Sequence, residues 1–116
     1  MQHTQAHIKA VLEGEAAVDG DIETLPIELD AIPGAVWQME LHALMPPEVR
    51  VSLFERGARK CALLRFPRGQ SEQAYQSFDA ARQAANELSH EVHQSAAQAA
   101  RQAREQAARE RETEAG

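Results

Sequence analysis

Apolar and polar positions alternate through Ala35-Val36-Trp37-Gln38-Met39-Glu40-Leu41-His42, which places Trp37, Met39 and Leu41 on one side of an extended chain. Two further runs, Val49 to Arg56 and Arg59 to Phe66, keep the same period and flank Gly57-Ala58. A two-residue loop with glycine first predicts a type II′ hairpin, because that position needs a positive φ. Centring the turn there fixes every cross-strand pair. Glu55 meets Lys60, Leu53 meets Ala62, Val51 meets Leu64 and Val49 meets Phe66 on an apolar face. On the opposite face Arg56 meets Arg59, Phe54 meets Cys61, Ser52 meets Leu63 and Arg50 meets Arg65.

From Ser71 the period changes. Ala74, Phe78, Ala81, Ala85, Leu88 and Val92 recur at spacings of four and three, one continuous helical stripe suited to covering the apolar sheet face. Ser71 suits the N-cap and Glu72 the first turn, and Ser77 followed by Asp79 is a competing start. Past Val92 the stripe shrinks to Ala96, Ala97, Ala99, Ala100, Ala103, Ala107 and Ala108, separated by Gln, Arg and Glu. Alanine favours helix, and Glu105 with Arg109 adds an i,i+4 pair. A straight helix from Ser71 to Arg111 would run roughly 60 Å, longer than this core can cover. The tail is therefore predicted to project, as a solvated arm or as an oligomerisation helix.

These elements predict an α+β fold: a three-stranded antiparallel meander packed on one long C-terminal helix. Leu25, Ile27 and Leu29 alternate with Pro26, Glu28 and Asp30, so residues 25–30 can add a fourth strand at an edge, where proline is tolerated. Residues 4–13 fit either a short helix capped by Thr4 or a strand through Ile8, Ala10 and Leu12. The organisation expected is an acidic, partly flexible segment over 1–30, a β-β-β-α core over 31–92 and an Ala/Gln/Arg/Glu-rich helical extension over 93–116 that frays to a disordered end.

Charge sharpens this division. The formal net charge of the 116 residues is −6, but residues 1–30 carry −6, residues 31–70 carry +3 and residues 71–116 carry −3. Like charges directly opposed across strands are destabilising, so the two arginine pairs call for an acid nearby. Two sources suggest themselves. A strand over 35–42 would bring Glu40 and His42 to that face. Alternatively the acidic segment would cover it, with Leu25, Ile27 and Leu29 on Phe54 and Leu63, and Glu23, Glu28 and Asp30 on the arginines. Left uncovered, Arg50, Phe54, Arg56, Arg59 and Arg65 form a candidate face for a protein partner. The alternative is nucleic acid, with charge for phosphates and a ring for stacking.

Other chemistry is sparse. Glu87, His90, Glu91 and His93 have metal-like spacing, but such sites need several helices facing inward, and a hydrated helix face is the preferred reading. Cys61 would be activated if the arginines lowered its thiol pKa and His42 lay beside it, but a small half-buried apolar residue is the simpler account. The chain has no glycine-rich phosphate loop, CxxC, GxSxG or paired-carboxylate motif. One cysteine cannot close an internal disulfide, and no run approaches the roughly 20 apolar residues of a membrane span. The first twenty residues hold Lys9, Glu13 and Glu15 and no hydrophobic block. The sequence thus reads as a soluble, cytoplasmic, non-catalytic interaction or adaptor module without a cofactor. Its expected partner is a protein, or a second copy met through the helical tail.

Overall fold

The structure, a computed structural model, describes residues 5–115, with side chains through residue 108. Thr4 and the Glu105–Arg109 pair therefore lie outside the described residues. The elements are β1 (Ile8–Val11), a 3-10 turn (Glu13–Glu15), β2 (Ala17–Asp19), β3 (Ile22–Leu29), α1 (Ala35–Leu44), β4 (Arg50–Arg56), β5 (Arg59–Pro67) and α2 (Ser71–Ala115). The fold is α+β, an antiparallel five-stranded sheet packed with the long C-terminal helix.

The β4–β5 hairpin has the register that its turn dictates. All seven pairs from Arg50–Arg65 to Arg56–Arg59 are present. Gly57 has φ +63 and Ala58 does not take a positive φ, the type II′ pattern. The same device closes β2 onto β3, where Gly20 has φ +62 and Asp19 pairs with Ile22.

The third long strand is not the one expected. Residues 35–42 belong to α1 rather than to a strand beside β4, and the third long strand is β3, on the other side of the hairpin beside β5. The segment fits both periods. As a helix it stacks Trp37 and Leu41 one turn apart, both fully buried, and leaves Met39 72% exposed. Its Ala, Gln, Met, Glu and Leu residues are good helix formers, and only Val36 is β-branched. Gly34 starts the helix by accepting from Gln38 N at 3.1 Å. Tertiary packing decided between two workable patterns.

Nor is the strand carrying Leu25 to Leu29 an edge strand. The sheet order is β1-β3-β5-β4, and β2 also pairs with β3. β3 is therefore internal, paired with β5 at eight positions from Ile22–Pro67 to Leu29–Lys60. Pro26 is tolerated because its carbonyl accepts from Leu12 N at 2.9 Å. Its backbone edge thus points away from β5, into the gap where the 3-10 turn separates β1 from β2. No ladder bond is lost there.

Leu25, Ile27, Leu29, Val51, Ala62, Leu64 and Phe66 line one sheet face, and Trp37, Leu41, Ala74, Phe78, Ala81 and Ala85 come from the helices above them. Within that layer lies one buried polar residue of consequence. Asn86 Oδ1 accepts from Ala6 N at 2.8 Å and from Trp37 Nε1 at 2.7 Å. Its Nδ2 donates to Ala6 O at 3.0 Å, and Arg82, held by Asp79, donates to the same carbonyl at 2.9 Å. One asparagine thus ties α1, α2 and the segment leading into β1 together. A second latch joins His7 to Asp30, with the His7 backbone N–H 2.7 Å from Oδ1 and Nδ1 3.0 Å from Oδ2. Burial pushes the Asp30 carboxyl up, but the His7 amide and ring outweigh it and the net shift is downward.

α2 begins with Gln70, not Ser71, as its cap, since Ala74 N donates to Gln70 O at 2.9 Å. Among the residues whose side chains are described, Ser89 is the last buried one, and residues 90–108 are all exposed. The projecting length gives the molecule its extents of 76 × 29 × 16 Å.

An open cationic sheet face as the candidate interaction surface

The face away from the helices carries the predicted site residues. Alternation along β4 sends Arg50, Ser52, Phe54 and Arg56 to it, and β5 adds Arg59, Cys61, Leu63 and Arg65. β3 extends the same surface with Thr24, Pro26 and Glu28, opposite Arg65, Leu63 and Cys61. Arg50, Arg56, Arg59 and Arg65 are exposed, and Phe54 and Leu63 are half-buried.

The acidic segment does not cover this face. Leu25, Ile27 and Leu29 point into the core instead, because residues 22–29 satisfy the free edge of β5 in the sheet itself. A strand that pairs edge-on brings only every second side chain to a given face. Of the acids expected there, Glu28 arrives and pairs with Lys9 at 3.7 Å. Asp30 instead holds His7, and Glu23 Oε1 accepts from Gly69 N at 3.4 Å. Glu40 and His42 sit on α1, in the layer on the other side of the sheet, and reach no arginine of this face.

The two arginine pairs are therefore in different states. Arg56 and Arg59 share Glu15 from the 3-10 turn, at 3.9 and 3.8 Å. Arg50 and Arg65 have no ion pair among the described residues. Glu15 was invisible to sequence reasoning as a partner, because nothing local ties residue 15 to residues 56 and 59.

Cys61 lies under this surface, 3% exposed. Burial pushes its thiol pKa up, and Glu28 and Glu15 add to that rise against the opposing pull of Arg59 and Arg56. The arginines do not activate it, and His42 is on the far side of the sheet. Glu87, His90, Glu91 and His93 lie exposed along α2. Among the described residues no three His, Cys, Asp or Glu side chains gather into a group that could hold a metal ion. No described helix is long and apolar enough to cross a membrane.

Sequence reasoning also missed Asn86. The signal was present in its position beside Ala85 within the apolar stripe, where an asparagine is unfavourable in a helix unless its amide is used. Its role is structural. No protein-family model matches this chain, and neither a curated protein nor a solved structure matches it significantly.

Proposed function

We propose that this protein is a non-catalytic protein-interaction module that receives an acidic segment of a partner on its open sheet face. The observation that carries this reading is Arg50 opposite Arg65, both exposed, with no acid paired to either among the described residues. Such a pair is repulsive in isolation, so an external carboxylate gains more here than at a lone arginine. β4 also ends the strand path, so among the described residues no strand pairs with its outer backbone edge, which could take an extended peptide beside the arginines. The projecting part of α2 offers a second contact element, to a protein partner or to another copy of the chain.

Phe54 favours a second reading. It lies on the arginine face where a base could stack, so single-stranded nucleic acid is the alternative ligand. Against it stand the acidic flanks and the net charge of −6, which repel a long polyanion more than a short acidic segment.

Fluorescence anisotropy with labelled deca-glutamate and with ten-nucleotide oligo-dT and oligo-U, at low salt, separates the two. Deca-glutamate is expected to bind and to release as salt rises. The charge reversals Arg50→Glu and Arg65→Glu together should weaken it about tenfold. Binding of the oligonucleotides alone transfers the function to nucleic acid, and binding of neither probe ends both readings.

A further inference from the structure

The arginine pair at the hairpin tip has a cleft beside it. The cleft measures about 390 Å³. Its apolar lining comes from Leu12, Pro26, Phe54 and the buried Cys61, and its polar rim from Arg56, Arg59 and Glu15. That volume is at the small end of ligand pockets, roughly 300–1,000 Å³, and polar and apolar groups contribute about equally to its lining.

Glu15 sits where an anion would sit, between the two guanidiniums, but it holds them loosely. Its distances of 3.9 and 3.8 Å exceed the about 2.7–2.9 Å of a charge-assisted hydrogen bond. Among the described residues neither Arg56 nor Arg59 donates a hydrogen bond from its side chain. The turn that carries Glu15 buries none of its own residues, so swinging the carboxylate away disturbs no core packing.

We propose that this cleft binds a carboxylate on an apolar stem, and that Glu15 is its built-in competitor. The stem rests on Leu12, Pro26 and Phe54, and the ligand carboxylate takes the donors of Arg56 and Arg59 while Glu15 turns out to solvent. Guanidinium suits this because its planar fork matches the two oxygens of a carboxylate. A seated competitor lowers the apparent affinity in proportion to the time it occupies the site. Two sources share the required chemistry: the C-terminus of a chain ending in an apolar residue, and a free aliphatic monocarboxylate. The site lies at the other end of the hairpin from Arg50 and Arg65 and does not depend on the function proposed for them.

The test titrates the full chain with octanoate and with N-acetyl-Gly-Leu, each beside its uncharged amide, and follows the backbone amide resonances of Leu12, Phe54 and Cys61. Both acids should shift these signals and both amides should not, and the tighter of the two acids identifies the source. Glu15→Gln should lower the apparent dissociation constant about threefold, the scale of an exposed ion pair. Arg56→Gln with Arg59→Gln should abolish the response. The proposal is overturned if the amides shift the same signals as well as the acids do, if neither acid does, or if Glu15→Gln leaves binding unchanged or weaker. Deca-glutamate binding that survives Arg56→Gln with Arg59→Gln and fails with Arg50→Glu and Arg65→Glu would separate the two ends of the hairpin.

Discussion

The two halves of α2 share a helical period but not a purpose. Over its first part the stripe Ala74, Phe78, Ala81 and Ala85 is buried, and Asn86 and Ser89 are buried with it. Beyond Ser89 the same helix runs free. Leu88 and Val92 continue the stripe in sequence yet are 36% and 43% exposed, and the alanines from Ala96 to Ala108 are all exposed. Periodicity thus reports which side chains share a helix face, and says nothing about whether anything stands opposite that face. The first half holds the fold; over residues 90–108 of the second, which bury nothing, alanine's backbone preference favours the helix.

The largest test of this contrast is Phe78→Ala, which empties a fully buried aromatic position. It should lower stability by about 3–5 kcal/mol in urea unfolding. Loss of less than about 1 kcal/mol would mean that the sheet face does not depend on α2.

Asn86→Ala comes next. It strips partners from Ala6 N–H and from Trp37 Nε1, while Arg82 still serves the Ala6 carbonyl. A loss of about 2–3 kcal/mol is expected. Combining it with Trp37→Phe should cost less than the two changes summed, since one orphaned donor is removed. Strict additivity would deny the shared hydrogen bond.

The sharpest comparison uses one substitution at two places. Ala85→Leu overfills a buried site and should cost about 1–3 kcal/mol. Ala99→Leu, on the exposed half, should stay within about 0.5 kcal/mol. Equal losses in thermal unfolding would show that the projecting half is packed in solution.

The smallest effect is a pH dependence outside α2. The Asp30 carboxyl is held below its ordinary value by His7, so its contribution is fully present above the unfolded pKa, near 3.9. It drains away as pH falls through the lowered folded value. Denaturant midpoints at pH 6 and pH 3 should therefore fall further for the native sequence than for Asp30→Asn. Parallel curves would remove the latch from the stability of the fold.

Much of the fold is legible in local pattern. Gly57-Ala58 set the turn, and the turn set each of the seven pairs that place Arg50 opposite Arg65 and Arg56 opposite Arg59. The cationic face was therefore readable, as were the α+β class and the start of α2 to within one residue. What could not be read was what neighbours that face. Residues 35–44 carry an alternation and an i,i+4 pair at once, and the choice of helix was made by Trp37 and Leu41 finding a core to enter. β3 became internal because β5 had a free edge, a fact about β5 rather than about residues 22–29.

The candidate site divides in the same way. The hairpin register, the helical stripe and the segregation of charge are encoded locally, because each follows from a turn geometry, a period or a composition acting over a short stretch. That β3 joins the sheet without covering its arginines, that Glu15 reaches Arg56 and Arg59, and that Asn86 binds Ala6 and Trp37 all depend on how distant elements pack. Those contacts join residues 41 to 80 positions apart. Their partners are selected by packing around the whole core, and no local signal encodes them.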